Sequence, residues 1–376
     1  MASIQKKNNK YCVVYYCKDT EGKRKQKWET YDTKNEAKIR KAEIELKEKK
    51  GGIIVSNCKT LEDLINEYVE LYGKDRWALS TYDGNMSLLK NYILPIIGKT
   101  PLTDINTRFL EIYYKTLTKT PSVPDLNGNV RSEFVSTSVI RDVHKLLKSC
   151  FNQAVKWDIM EKNPAFKATV PKHKSEKRVI WDAETFAYAL DVCENECLKL
   201  CMNLAFAGSL RIGELLGLTW DCVDISEEAI KENRAYLYVN KEVQRVSKKA
   251  LEELDQKDVI VIFPEERKTN KIKDILQEEY QDYGLILATE YGLPRGGAYI
   301  RDSLNKLIKQ HDLPQIVFHS FRHMSVTYKL KLNGGDIKAV QGDSGHAQAD
   351  MVTEVYSHII DEDRRRNATL LEDSFY

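Results

Sequence analysis

Apolar residues recur along most of this chain at intervals of three and four, and polar and apolar residues mix at strand-like spacing near its beginning. Aromatic and β-branched residues crowd into Tyr11-Cys12-Val13-Val14-Tyr15-Tyr16 and Lys25-Gln26-Lys27-Trp28-Glu29-Thr30-Tyr31, on either side of the turn sequence Asp19-Thr20-Glu21-Gly22. That pattern predicts a hairpin. A charged helix follows from about Lys34 to Lys49, closed by Gly51-Gly52. Thr60-Leu61-Glu62-Asp63 has the chemistry of a helix N-cap with an acidic partner three residues on. Leu61, Leu64, Ile65, Tyr68 and Val69 then fall on one helical stripe. A second helix is expected from about Ser80 to just before Gly98, its last turn disturbed by Pro95. A third should run from about Ile105 to Leu117. After a polar loop holding Pro121, Pro124 and Gly128, a long amphipathic helix should span about Ser136 to Trp157. Later, Val259-Ile260-Val261-Ile262-Phe263 reads as a strand, and Lys268-Thr269-Asn270-Lys271 as the turn after it.

These elements predict a mainly α protein with small β elements (α+β) in three pieces. Residues 1–55 form a small sheet-plus-helix domain, 60–165 a helical domain, and 175–376 a mixed α/β domain that holds the candidate chemistry. A length of 376 residues suits such a division. Between the last two pieces, 163–180 reads as a linker, with Pro164, Pro171 and the basic residues Lys172, Lys174, Lys177 and Arg178.

Charge changes this picture more than composition does. The net charge of +2 hides an asymmetry: residues 1–59 hold 16 Lys and Arg against 8 Asp and Glu, or +8, which leaves −6 for the rest. A basic module on a mildly acidic remainder points to nucleic acid, although a well-solvated surface has the same composition. No apolar run approaches the roughly 20 residues of a membrane span. The first residues turn polar at once, without a signal-peptide core, so a cytoplasmic protein is expected. Eight cysteines are scattered rather than spaced as a disulfide framework. Cys193, Cys197 and Cys201 repeat at intervals of four, which would align them on one helix face. They lack the second pair or nearby histidines of a metal site, and buried free thiols are expected.

The candidate chemistry lies in the last piece. Gly208-Ser209-Leu210-Arg211-Ile212-Gly213-Glu214 presents one arginine, and His319-Ser320-Phe321-Arg322-His323 a second. Gly345-His346 follows, and ten residues after His346 comes Tyr356 in Val355-Tyr356-Ser357-His358. Two planar, permanently charged guanidinium groups suit the non-bridging oxygens of a phosphodiester. Imidazoles suit proton transfer and hydrogen bonding to the same phosphate, and a phenol can serve as nucleophile. Each group has a plainer reading. Arg211 could be an ion pair with Glu214, His-x-x-Arg is common by itself, and Tyr356 could be one core tyrosine among 20. His319 lies three residues before Arg322, which on a helix would place both on one face.

In order and spacing these residues resemble the tyrosine recombinase (phage-type integrase) family, and the first piece resembles the arm-binding domain of its conjugative-transposon branch. The resemblance implies a site-specific DNA recombinase that joins Tyr356 to a 3′ phosphate, with no metal or ATP and no cofactor. It implies Arg211 and Arg322 as the phosphate clamp, His319 as acid–base candidate, and His346 as a hydrogen-bond donor to the scissile phosphate. Glu214 and His323 would be supporting residues. The general acid would be a lysine on the 259–271 hairpin: Lys268 is preferred, with Lys271 and Lys273 close rivals, while Tyr376 is the rival nucleophile. Ser344 stands before Gly345 where the family commonly has leucine. The implied partners are double-stranded DNA at core and arm-type sites, further copies of the chain in a tetramer, and an accessory excision factor. Candidate DNA contacts are Lys23, Arg24, Lys25 and Lys27 on the hairpin, and Lys74, Arg76 and Lys90 in the helical core-binding domain. A type IB topoisomerase shares this chemistry, and a non-catalytic DNA-binding regulator would use the basic module alone.

Overall fold

The computed structural model describes residues 2–7, 9–18, 24–49, 58–124, 130, 132–172, 179–254 and 283–344. The chain divides into two compact units, Met1–Lys174 and Ser175–Tyr376, and the division falls inside the expected linker.

The first unit opens with an antiparallel sheet of three strands, β1 (Ser3–Lys7), β2 (Lys10–Lys18) and β3 (Arg24–Tyr31), in that order, followed by helix α1 (Lys34–Lys49). The sequence pattern anticipates β2, β3 and α1. It does not anticipate β1, where Ile4 is the only apolar residue. This edge strand exists through its register with β2, in which Ile4 pairs with Val13 and Gln5 with Cys12. Since side chains alternate across a strand, Val13 and Tyr15 point to one face, where they pack with Ala37 and Ile44 of α1 and with Ile4, Tyr11 and Tyr31. Under that small core lies a polar clasp. Tyr15 Oη donates to Glu29 Oε1 at 2.6 Å, Tyr31 Oη donates to Oε2 at 2.8 Å, and Arg40 Nε donates to Oε2 at 2.8 Å.

Helix α2 (Leu61–Tyr68) starts at the predicted capping box, in which Thr60 Oγ1 accepts from the Asp63 N–H and Asp63 accepts from the Thr60 N–H. It continues through a wide π turn, Val69–Gly73, into Lys74–Arg76. A Cβ on Gly73 would lie 2.8 Å from the Trp77 ring, so only glycine allows Trp77 to pack there. Helix α3 (Leu79–Leu88) likewise widens into a π turn at Leu89–Ile93 before Leu94–Ile97. Pro95 supplies the reason: it lacks an N–H and its ring crowds the carbonyl four residues back. Helices α4 (Thr107–Leu117) and α5 (Thr137–Lys156) follow, and Tyr68 Oη bonds Ser149 Oγ at 2.8 Å across α2 and α5.

The second unit contains α6 (Ala183–Asp191), α7 (Glu196–Ala207), α8 (Ile212–Leu216), β4 (Val223–Asp224), α9 (Glu227–Lys231) and β5 (Tyr236–Leu237). Helices α10 (Lys248–Leu254), α11 (Gly297–Gln310), α12 (Ser320–Leu332) and α13 (Ile337–Ser344) complete its described part. β4 and β5 form a two-stranded antiparallel sheet. The core centres on Phe321, fully buried among Trp181, Phe186 and Phe318 with ring centroids 5.4–5.7 Å away. Cys193 precedes α7 and its N-cap Asn195, so of the cysteine series only Cys197 and Cys201 share that helix. Asn195 captures the Leu198 N–H through its side chain, which starts the helix after Cys193. Cys193 and Cys201 are buried free thiols, as expected. Among the described residues no helix is long and apolar enough to cross a membrane.

One pH dependence follows from the Glu29 clasp. Burial works against the carboxylate, but hydrogen bonds from Arg40, Tyr15 and Tyr31 hold its pKa down at about 2, from an ordinary 4.5. A group depressed in the folded state stabilises it above its unfolded pKa, and loses that contribution as pH falls through the folded value. Amide hydrogen exchange of β2 and β3 in the full chain should therefore lose protection between pH 4.5 and 2. Glu29→Gln should flatten that part of the profile, and matching profiles for the two proteins would refute it.

Candidate active site

Arg211 stands at the N-cap of α8, where the polypeptide turns out of α7. Its own N–H donates to Glu214 Oε2 at 2.8 Å and its Nη1 donates to Glu214 Oε1 at 2.6 Å. Glu214 thus caps the helix and orients the guanidinium at once. Two glycines hold this short helix in place. A Cβ on Gly213 would lie 3.0 Å from the Val243 carbonyl oxygen, and one on Gly217 would lie 2.9 Å from Glu242 Cα. The segment after β5 therefore passes directly against α8, and the Val243 N–H donates to the Gly213 carbonyl at 2.9 Å.

Arg322 comes from the first turn of α12 and is only 2% exposed, whereas the Arg211 side chain is 42% exposed. Its Nη1 donates to the Ser209 carbonyl and its Nη2 to the Ser344 carbonyl at 2.7 Å, while Nη1 lies 3.8 Å from Glu214 Oε2. One carboxylate therefore faces two guanidiniums from elements far apart in sequence. Burial, and next the Arg211 charge, pull the Arg322 pKa below its ordinary value, while Glu214 acts the other way. A guanidinium stays protonated through any physiological pH, so the pair presents permanent positive charge.

His319 is the residue before α12, with helical backbone angles, and its ring is exposed. It meets His323 edge to face, with centroids 4.7 Å apart. The expectation that His319 and Arg322 share a helix face is therefore met only loosely. Three residues correspond to roughly 60° of offset at 3.6 residues per turn, and Arg322 turns into the core while His319 stays at the surface. Lys268 and its rivals Lys271 and Lys273, together with His346, Tyr356 and Tyr376, lie outside the described residues.

Behind the arginine pair, the residue whose carbonyl holds Arg322 has side-chain partners of its own. Ser209 adopts a left-handed backbone, with φ 54°, and is fully buried. Its Oγ bonds Ser325 Oγ at 2.7 Å and accepts from Lys329 Nζ at 3.3 Å. Sequence reasoning passed over these residues, although Arg322, Ser325 and Lys329 recur at intervals of three and four along α12, beside the apolar Phe321, Met324, Val326 and Leu330. That polar stripe was the available signal.

In the first unit, the register places Lys25 opposite Cys17 and Lys27 opposite Tyr15, on the α1 side of the sheet. The opposite face carries Gln26 and the exposed rings of Tyr16 and Trp28, with Lys7 Nζ 5.9 Å from the Trp28 ring centre. Arg24 opens β3, and Lys23 lies outside the described residues. Lys74 is paired with Glu70 at 2.6 Å, while Arg76 and Lys90 are exposed.

Residues 182–363 match the phage integrase family, and residues 60–118 match the phage integrase N-terminal SAM-like domain. A tyrosine recombinase XerC-like protein of Caldanaerobacter subterraneus subsp. tengcongensis is 24% identical over 263 residues, 64% of this chain and 67% of that protein. Transposase A from transposon Tn554 of Staphylococcus aureus is 27% identical over 183 residues, so this chain spans 47% of its length. Among solved structures, the Tn1549 transposon integrase in complex with a circular intermediate DNA has a TM-score of 0.60 at 17% identity. The match covers 83% of this chain and all of that one. A lambda integrase tetramer bound to a Holliday junction has a TM-score of 0.54 at 18% identity, over 94% of each chain. With the helical domain and the arginine-bearing domain both matched, the chain belongs to the phage integrase family.

Proposed function

We propose that this protein is a site-specific DNA recombinase that cleaves and rejoins DNA through a 3′-phosphotyrosyl intermediate. The observation that carries the reading is the pair of guanidiniums on one carboxylate: Arg322 buried and held by two carbonyls, Arg211 more open and held by Glu214. Ground-state anions on ordinary surfaces do not need so constrained a cation pair. Charge developing on a phosphoryl group does, because preorganised donors need no reorganisation when the reaction occurs.

In this mechanism Arg211 and Arg322 neutralise the two non-bridging oxygens of the scissile phosphate. The Tyr356 phenolate oxygen attacks phosphorus, forming the phosphotyrosyl bond as the bond to the 5′ oxygen breaks. Lys268 gives that leaving oxygen its proton. His319 takes the phenol's proton, and His346 hydrogen-bonds the phosphate. The 5′ hydroxyl of a second DNA end then attacks the phosphotyrosyl phosphorus, and Tyr356 leaves. Each step exchanges one phosphate ester bond for another, so the reaction requires no energy source. The partners are core and arm-type DNA sites and three further copies of the chain, as in the lambda integrase tetramer bound to a Holliday junction, with an accessory excision factor. The setting is the cytoplasm.

The basic N-terminal module serves as the arm-site reader, and its register selects the reading face. A two-stranded ribbon fits the major groove, and the face away from α1 offers Gln26, Tyr16, Trp28 and Lys7. Lys25 and Lys27, on the α1 side, then serve as backbone contacts.

Two outcomes are expected. On a suicide substrate nicked near the cleavage position, the full chain should form a slow-migrating covalent adduct on a denaturing gel. Tyr356→Phe should lose the adduct while Tyr376→Phe keeps it, and Arg322→Ala should bind DNA but lose cleavage by at least about 10²-fold. No adduct with the genuine target, despite specific binding, would favour a DNA-binding regulator instead. For the sheet, Gln26→Ala with Trp28→Ala should erase discrimination between arm-site and random duplex. Lys25→Ala with Lys27→Ala should weaken both alike and reduce the salt slope by about one unit per contact. The reverse pattern would move the reading surface to the α1 side.

A further inference from the structure

The left-handed turn at Ser209 joins the two arginine-bearing elements. Serine is not among the residues that adopt this conformation readily: glycine does so freely, and asparagine or aspartate do so with local hydrogen bonds. Here the backbone conformation presents the Ser209 carbonyl to Arg322 Nη1 and leads, two residues later, to Arg211. The same residue sends its hydroxyl in the other direction, to Ser325 Oγ at 2.7 Å and Lys329 Nζ at 3.3 Å. Ser325 and Lys329 stand one and two turns beyond Arg322 on α12. Ser209 and Ser325 are both buried, so water does not compete for the bond between them.

Resting on the recombinase reading above, we propose that Ser209 is a positioning residue, and that the Ser209–Ser325–Lys329 network sets the distance between the two guanidiniums that receive the scissile phosphate. Ser209 touches no reacting atom and acts through its carbonyl on Arg322 and through chain continuity on Arg211. The hydroxyl holds the backbone in a conformation that serine would otherwise leave. Loss of the hydroxyl then allows the turn to relax, the Arg322 carbonyl contact to loosen, and the cation pair to drift from its spacing.

Ser325→Ala and Ser209→Ala test this from the two ends of the bond. Alanine keeps the Cβ that makes this φ costly but lacks the hydroxyl that holds it, so either change frees the turn. Single-turnover cleavage is measured with saturating full-length protein on two suicide substrates. One carries the natural phosphodiester. The other carries a methyl group in place of one non-bridging oxygen of the scissile phosphate, which removes its negative charge. On the natural substrate both variants should cleave about tenfold more slowly, with DNA affinity within about twofold of wild type. On the neutral substrate, which needs less positive charge, the defect should shrink to about twofold or less. Equal slowing on both substrates would make the network merely structural and overturn the proposal, as would unchanged cleavage of the natural one. A wild-type protein that cleaves neither substrate would overturn the recombinase reading itself, and this inference with it.

Discussion

A buried guanidinium organises the second unit. Removing a cation from water costs several kcal/mol even after the protein relaxes around it, and Arg322 is almost wholly enclosed. Three acceptors offset that cost: the carbonyls of Ser209 and Ser344 and the carboxylate of Glu214. They come from the turn after α7, the end of α13 and the first turn of α8. The cation therefore cannot be satisfied until these three stretches and α12 have come together. Packing supplies the matching apolar constraint, since Phe321, the neighbour of Arg322, fills the core between Trp181, Phe186 and Phe318.

The same enclosure makes the site preorganised. Hydrogen bonds to a charged group are worth about 1.5–3 kcal/mol each, enough to hold Arg322 in one orientation. Ser209 illustrates the expense. A non-glycine residue in the left-handed region costs roughly 1–2 kcal/mol, and a hydroxyl hydrogen bond returns about 1 kcal/mol. The balance is met by the carbonyl's contact with a buried cation. Local strain and the charge it supports are thus two sides of one arrangement.

The N-terminal sheet follows a different logic. Its chemistry lies in parity: each step along a strand changes the face. Val13, Tyr15 and Glu29 face α1, while Tyr16, Gln26 and Trp28 face away, so neighbouring residues that look equivalent in the chain have different surroundings. Counting positive charge marks this segment as basic, and only the register decides which of its residues share a face.

Much of this protein is legible in its sequence because local physics writes it there. The capping box at Thr60, the helical stripe behind it, the disturbed turn at Pro95 and the pairing of Arg211 with Glu214 each depend on residues within a turn or two of one another. Their outcome needs no distant partner. The order of Arg211, Arg322 and the groups after them likewise revealed the family. Tertiary structure decided the rest. β1 is a strand only because β2 lies beside it, and Cys193 leaves the cysteine series because Asn195 caps α7 first. Ser209, an ordinary residue by type, takes its side-chain partners from Ser325 and Lys329, more than a hundred positions away. The physical reason is one of range: capping and periodicity act between neighbours in sequence. Burial of a charge and choice of a sheet face depend on what the folded chain brings alongside.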